Sequence, residues 1–79
     1  MAMSGILEID LHGKNEYQAK VTIDAALRRA KAGTYRLRLI HGYHGGTALR
    51  DMIRREYTGK CLRVLPIDNG RTDLVLREF

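Results

Sequence analysis

The chain has 79 residues, enough for one small domain with little interior volume for a deep, enclosed substrate cavity. Fourteen Lys and Arg against nine Asp and Glu give a formal net charge of +5, which favours polyanionic partners, although many small domains are basic for solubility alone. The single cysteine, Cys61, excludes an internal disulfide and a zinc site built on cysteine pairs. No apolar run reaches membrane-spanning length, so we expect a cytoplasmic protein with no membrane partner.

The first half of the chain has the pattern of a strand, a helix and a second strand. Residues 1–5 are expected to be a flexible N-terminus, followed by a single domain over residues 6–79. Residues 6–12 alternate apolar and polar side chains, which predicts a half-buried strand. Asn15 followed by Gln18 resembles a capping box, and apolar residues then recur at helical spacing up to a stop at Gly33. Residues 36–41 alternate again and predict the second strand.

The second half adds one helix and two strands. A loop over residues 42–46 leads into a helix over 47–56, followed by strands over 60–65, with Cys61 buried in the strand, and 73–77. The dipeptide Asn69-Gly70 favours a turn within a longer hairpin loop. Strands joined through a helix are parallel with a right-handed crossover. The order βαβαββ therefore predicts an α/β fold of the α+β two-layer sandwich type, with two helices on one face of a four-stranded mixed sheet.

Asp10 and His12 form the first candidate site, at the end of the first strand. Alternation places both side chains on the same face, and ligands of open α/β sheets bind beyond the carboxyl ends of parallel strands. A carboxylate beside an imidazole can support proton transfer. The alternative interpretation is structural: Asp10 pairs with Arg36 or Arg38 on the neighbouring strand, and His12 only covers the sheet edge.

The segment that joins the second strand to the second helix is the second candidate site. Glycines let the backbone approach a ligand, and the first turn of a helix offers free N–H groups to an anion. We expect this segment to contact phosphate, together with two arginines one helical turn apart on the second helix. The residues of this site are His41, Gly42, Tyr43, His44, Gly45, Gly46, Thr47, Arg50 and Arg54. Alternatively, the glycines serve only a strand-to-helix turn and the arginines only a solvated helix face.

The two motifs follow adjacent parallel strands, so we expect them to converge on one phosphodiester. Together they resemble the small MutS-related (Smr) domain family. IDLHG over residues 9–13 is similar to the LDLHG-type first strand of that family, and HGYHGGTALR over residues 41–50 is similar to its glycine-rich loop and Ala-Leu-Arg helix start. Two positions differ: His44 stands where the family usually has its second glycine, and Tyr43 replaces the usual basic residue.

The resemblance implies a fold like the C-terminal domain of translation initiation factor 3. It also implies binding to DNA or RNA, with nicking or endonuclease activity in several members. Asp10 and His12 are the candidate catalytic residues that it implies, and His41, Gly42 and Gly46 the phosphate-contacting loop.

The first functional hypothesis is therefore an endonuclease acting on DNA or RNA. His12 or His41 acts as general base or acid, and Asp10 orients it or holds a divalent cation such as Mg²⁺ or Mn²⁺. Loop amides and an arginine stabilise the charged phosphate. The altered loop motivates the alternative, a non-catalytic module for branched DNA, structured RNA or the ribosome. A third hypothesis, an enzyme for small-molecule phosphates, is disfavoured because no deep pocket is predicted.

Overall fold

The computed structural model describes residues 5–30, 33–42 and 48–78, so the predicted N-terminal segment, apart from Gly5, lies outside the described residues. Within these ranges the element order is the predicted one. The chain forms strand β1 (Ile6–Asp10), helix α1 (Glu16–Arg29), strand β2 (Arg36–Ile40), helix α2 (Ala48–Tyr57), strand β3 (Arg63–Asp68) and strand β4 (Arg71–Val75). Neither of these helices has the length and apolar character needed to cross a membrane.

The strands form one four-stranded mixed sheet in the order β1-β2-β4-β3. β1 and β2 are parallel, with Asp10 opposite Ile40, as expected for strands joined through a helix. β4 is antiparallel to both β2 and β3, and its first residue, Arg71, also lies opposite Ile40. The predicted α+β sandwich is confirmed, and its topology brings the carboxyl ends of β1 and β2 and the start of β4 to one edge of the sheet.

Both helices pack against one face of the sheet, which we call the helix face. Alternate residues of the strands point to it and meet the apolar stripes of α1 and α2. The core comprises Ile9, Leu11, Ala19, Ile23, Ala26, Leu37, Leu39, Met52, Ile53, Tyr57 and Leu74. The opposite face, which we call the open face, presents the other set of strand residues. That set includes Glu8, Asp10, Arg36, Arg38 and Asp73.

Helix α1 begins as the sequence predicts and ends earlier. The Asn15 side chain accepts the N–H of Gln18 at 2.8 Å, and the Gln18 side chain accepts the N–H of Asn15 at 3.0 Å. This pair of bonds is the predicted capping box. The helix ends at Arg29 instead of Gly33, because Ala30 adopts an extended conformation that interrupts the helical hydrogen-bond ladder.

The β3–β4 hairpin is tighter than predicted, and both strands are displaced toward its turn. β3 continues to Asp68 and β4 begins at Arg71, so Asn69 and Gly70 form a two-residue connection instead of part of a longer loop. Pro66 lies inside β3, which is an edge strand, where the missing proline N–H is tolerated. A register shift between Pro66 and Asp68 absorbs one additional residue.

Two polar side chains near the end of α2 were misplaced or missed by the sequence analysis. Cys61 lies in the turn between α2 and β3, half-buried and not within a strand, because β3 begins only at Arg63. Burial raises the pKa of its thiol. Tyr57 is fully buried in the core, and its hydroxyl donates a 2.7 Å hydrogen bond to Asp24 of α1.

Candidate functional site

The acid–imidazole pair predicted at the end of β1 is present. Asp10 is the last residue of β1, and its Oδ1 accepts the backbone N–H of His12 at 3.0 Å. The resulting turn places the His12 Nδ1 3.6 Å from the same oxygen. Both side chains face solvent, with 67% of Asp10 and 76% of His12 exposed. The pair is therefore accessible to a large ligand without any rearrangement.

The structural alternative for Asp10, an ion pair with Arg36 or Arg38, is wrong. Both arginines bind Asp73 of β4 instead: Arg36 donates at 3.0 Å, and Arg38 donates twice, at 2.9 and 3.0 Å. The Asp73 side chain is fully buried beneath them, and its hydrogen bond raises the pKa of the Arg38 guanidinium. Because Asp73 satisfies both arginines, His12 is the only partner of the Asp10 carboxylate among the residues that the structure describes.

His41 follows β2 but lies in the protein interior. It is 8% exposed, its Nε2 lies 2.9 Å from the Thr72 hydroxyl, and its Nδ1 lies 3.0 Å from the Gly42 carbonyl oxygen. A carbonyl oxygen only accepts, so Nδ1 donates to Gly42, and Nε2 of a neutral ring accepts from Thr72. Both ring nitrogens are engaged. Direct proton transfer by His41 requires one of these hydrogen bonds to break.

Three loops meet beside the Asp10–His12 pair. Gly42 adopts φ +82°, and a Cβ built there would lie 3.6 Å from the His12 Cβ, so the ends of β1 and β2 are close neighbours. From the β3–β4 turn, the Gly70 carbonyl accepts the N–H groups of His41 at 2.9 Å and Gly42 at 3.1 Å. The expected convergence of the two strand ends is therefore observed as far as Gly42. The left-handed backbone at Gly42 explains why glycine is favoured there.

The rest of the predicted phosphate loop lies outside the described residues. These positions are Tyr43, His44, Gly45, Gly46 and Thr47. Helix α2 begins immediately after them, at Ala48, and Arg50 lies in its first turn. The Arg50 Nε is buried and has no hydrogen-bond partner within the described ranges, although it lies 3.8 Å from the Oδ1 of Asp51, an ion-pair contact too long for a hydrogen bond. A buried donor without a partner is energetically costly, so an anion bound near the start of α2 would stabilise this side chain.

The arginines farther along α2 differ in how they are paired. Arg55 contacts Glu16 and Glu56, each at 3.4 Å. Arg54 is exposed, and no ion pair involving its guanidinium occurs in the described part of the chain. Of these two neighbours, Arg54 is therefore the one available to an external phosphate.

Arg71 is a cation at this edge that the sequence analysis missed. Its guanidinium binds Asp68 across the turn at 2.6 and 3.0 Å, and this contact lowers the pKa of the Asp68 carboxyl. The Arg71 side chain is 43% exposed. Its place near the site follows from the pairing of β2 with β4, which joins distant parts of the chain. The only feature of the sequence that indicates this ion pair is the three-residue spacing of Asp68 and Arg71 on either side of Asn69-Gly70.

The site provides few potential metal ligands. Across the described residues, no group of three or more His, Cys, Asp or Glu side chains is arranged to hold a metal ion. Asp10 and His12 offer two ligands, so a divalent cation at this point would need its remaining ligands from water or a substrate.

Residues 9–71 match the family model of the Smr domain, a span that includes both strand-end motifs. The chain belongs to the Smr domain family. A solved Smr domain, that of Thermus thermophilus MutS2, is 34% identical in sequence and superposes with a TM-score of 0.75 over 91% of this chain and 99% of that one. No curated protein sequence matches this chain. Smr domains are known for nucleic-acid binding and nuclease-related roles, and the exposed strand-end edge of this Smr domain is its candidate nucleic-acid interface.

Proposed function

We propose that this Smr domain binds branched or structured nucleic acid at the edge where β1, β2 and β4 meet, and hydrolyses a phosphodiester there. The main supporting observation is the exposed Asp10–His12 pair, with Oδ1 and Nδ1 3.6 Å apart, beside the left-handed Gly42. Family membership supports nucleic acid as the ligand. The formal net charge of +5 favours association with a polyanion.

In this proposal His12 transfers the proton and Asp10 supports it. The neutral imidazole takes a proton from a water molecule as the water oxygen bonds to phosphorus. The ester P–O bond to the leaving strand breaks, and the imidazolium returns the proton to the leaving oxygen. The Asp10 carboxylate stabilises the positive charge on the ring. His41 keeps its hydrogen bonds to Thr72 and Gly42, so we assign it the positioning of the loop.

Arg50 and Arg54 are the proposed phosphate contacts on α2. The Arg50 Nε is buried, makes no hydrogen bond within the described residues and lies 3.8 Å from Asp51, and Arg54 has no ion pair in the described part of the chain. The backbone amides of residues 43–47 complete the contact with the phosphate in this proposal.

The second candidate function is a module that binds nucleic acid without cutting it. The exposure of Asp10 and His12, 67% and 76%, favours it. Side chains that remain largely in water lack the low-dielectric surroundings in which charge in a transition state is strongly stabilised. In this case the same edge binds the nucleic acid but does not hydrolyse it.

Cleavage assays on one panel of substrates separate the two candidates. Supercoiled DNA, branched DNA and hairpin RNA are incubated with Mg²⁺, Mn²⁺ or EDTA, and the Asp10→Asn and His12→Ala variants are compared with Glu8→Gln. Glu8→Gln is the matched control, because Glu8 is an exposed carboxylate on the same face of β1. We expect the two site variants to lose at least about 100-fold in cleavage rate. Unchanged cleavage in both would refute the catalytic assignment, and binding without cleavage under every condition would select the binding module.

Binding is measured separately as a function of salt. We expect Arg54→Ala to reduce the slope of log K against log salt by about one, the value for one lost phosphate contact. Arg28→Ala is the control, since Arg28 is an exposed helical arginine at the opposite end of the βα unit, in the last turn of α1. Wild-type binding that does not respond to salt would refute a phosphate-based interface.

A further inference from the structure

An open groove adjoins the Asp10–His12 pair on the side of α1. It has a volume of about 600 Å³ and lies between the β1–α1 loop and the first two turns of the helix. The loop contributes His12 and Lys14, and the helix contributes Tyr17, Gln18 and Val21. His12 thus belongs both to the groove and to the proposed site. The remaining groove residues have no role in the function proposed above.

Tyr17 is the notable side chain of this groove. It is 76% exposed, and Val21, one helical turn later, is 49% exposed. The spacing places both on the side of α1 turned away from the stripe of buried residues that includes Ala19 and Ile23. No hydrogen bond holds the Tyr17 hydroxyl among the residues that the structure describes. Within the described part of the chain, neither core packing nor a polar contact therefore accounts for an aromatic ring here.

We propose that Tyr17 is a stacking platform for an unpaired nucleobase of the strand whose phosphate lies at His12, an inference that rests on the proposed nucleic-acid binding. Bases stack on exposed aromatic rings with little dependence on sequence, because every base has a π face. In a duplex each base is covered on both sides by its neighbours. The groove therefore selects a nucleotide in a loop, a bulge, a branch point or a strand end.

The charge of the groove fits this occupant. None of the described residues that line it is acidic. Lys14 lies between His12 and Tyr17 in the sequence, and its ammonium group can contact the phosphate next to the stacked base. Among the described lining residues, Tyr17 and Val21 supply the apolar surface, and the other side chains are polar or basic, apart from Gly13, which has none. So small an apolar surface favours a single base over a second protein chain.

The test compares one hairpin with an unpaired loop and one fully paired duplex of the same stem sequence, each as RNA and as DNA. Affinities are measured by fluorescence anisotropy for the 79-residue chain and its Tyr17→Ala and Tyr17→Phe variants. Leu62→Ala is the matched control. Leu62 is also an exposed apolar residue, at 59%, and its N–H donates to the carbonyl of Val75, at the opposite end of β4 from the site.

We expect Tyr17→Ala to weaken binding of the hairpin about 5- to 150-fold, the range for loss of one base–aromatic stack, and to leave duplex binding unchanged. Tyr17→Phe keeps the ring and should bind like the wild type, as should Leu62→Ala. A 2-aminopurine in the loop reports stacking directly: its fluorescence should be quenched by the wild type and by Tyr17→Phe but not by Tyr17→Ala. Because Tyr17 is exposed, circular dichroism should show the same helix content in all variants.

Several outcomes overturn the inference, and they are distinguishable from failure of the proposed function. If Tyr17→Ala binds the hairpin like the wild type, or loses hairpin and duplex affinity equally, Tyr17 is not a base platform, while nucleic-acid binding stands. If the wild-type chain binds none of these nucleic acids, the proposed function fails and the inference fails with it. If the wild type forms dimers that Tyr17→Ala abolishes, the groove belongs to a second copy of the chain and the inference is refuted.

Discussion

The ion cluster on the open face leads to a specific prediction about stability. Asp73 is fully buried and accepts three hydrogen bonds of 2.9–3.0 Å from Arg36 and Arg38. In Asp73→Asn, an amide NH₂ replaces one acceptor oxygen and faces the guanidinium donors. Loss of one partner from a buried ion pair costs about 3–5 kcal/mol. Because the two arginines are 30% and 22% exposed and regain some hydration, we expect a loss of about 2–3 kcal/mol.

That loss is a large part of the total stability of so small a domain. A chain of 79 residues has a free energy of unfolding of about 4–12 kcal/mol, and the predicted loss corresponds to a fall in Tm of about 10–20 °C. Thermal and urea unfolding at neutral pH, followed by circular dichroism, measure it. Asp68→Asn is the control, because the Asp68–Arg71 pair is exposed and its loss should barely change the midpoint. Equal midpoints for the Asp73→Asn variant and the wild type would refute the reasoning.

Three further predictions concern buried groups and the loop. Thr72→Val leaves the buried His41 Nε2 without a donor and should cost about 1–3 kcal/mol in urea unfolding; an unchanged midpoint would contradict the hydrogen bonding assigned to His41. Burial raises the pKa of Tyr57 above its ordinary value of 10.0, so the unfolded chain releases this proton first and stability should fall as the pH rises above about 10. The Tyr57→Phe variant should lack that alkaline loss, and an identical pH dependence in the two proteins would disprove the cause. Gly42→Ala places a Cβ on left-handed backbone and should lower the free energy of unfolding by about 1–2 kcal/mol. Gly70→Ala should be tolerated, because its Cβ would contact Gly42 at an ordinary 3.7 Å. If the two variants lost stability and oligonucleotide affinity to the same extent, this distinction would be contradicted.

The features that the sequence analysis predicted correctly have local signals. Asn15 and Gln18 are three residues apart and form the capping box by themselves. Asp10 and His12 are two residues apart, and the turn between them needs only the Asp10 carboxylate and the His12 N–H. The parallel pairing of β1 with β2 follows from the helix between them. All the residues that indicate each of these features lie close together in the sequence, so the sequence alone predicts the feature.

The features that the sequence analysis missed depend on partners far away in the chain. Asp73 lies 35 residues from Arg38, and an aspartate in an alternating segment indicates a solvent-facing position unless the strand opposite is known. His41 lies 31 residues from Thr72. A histidine at a strand end beside glycines indicates a ligand site until the pairing of β2 with β4 shows that its ring is buried. Strand register thus decided which charged and polar residues are structural.

The composition gives only the number of positive charges, whereas the ion pairs show which of them are already paired within the protein. Asp73 carries one negative charge against the two positive charges of Arg36 and Arg38, so it offsets one of them and holds both guanidinium groups in place. Lys14, in the β1–α1 loop, and Arg54, in the last turn of α2, have no ion pair in the described part of the chain, and α1 and α2 both begin at the edge where β1 and β2 end. The positive ends of both helix dipoles lie there as well. Lys14 beside the groove of α1 and Arg54 on α2 are therefore two cations available to a phosphate backbone, and an anionic strand that contacts both would cross this edge from α2 toward the groove of α1.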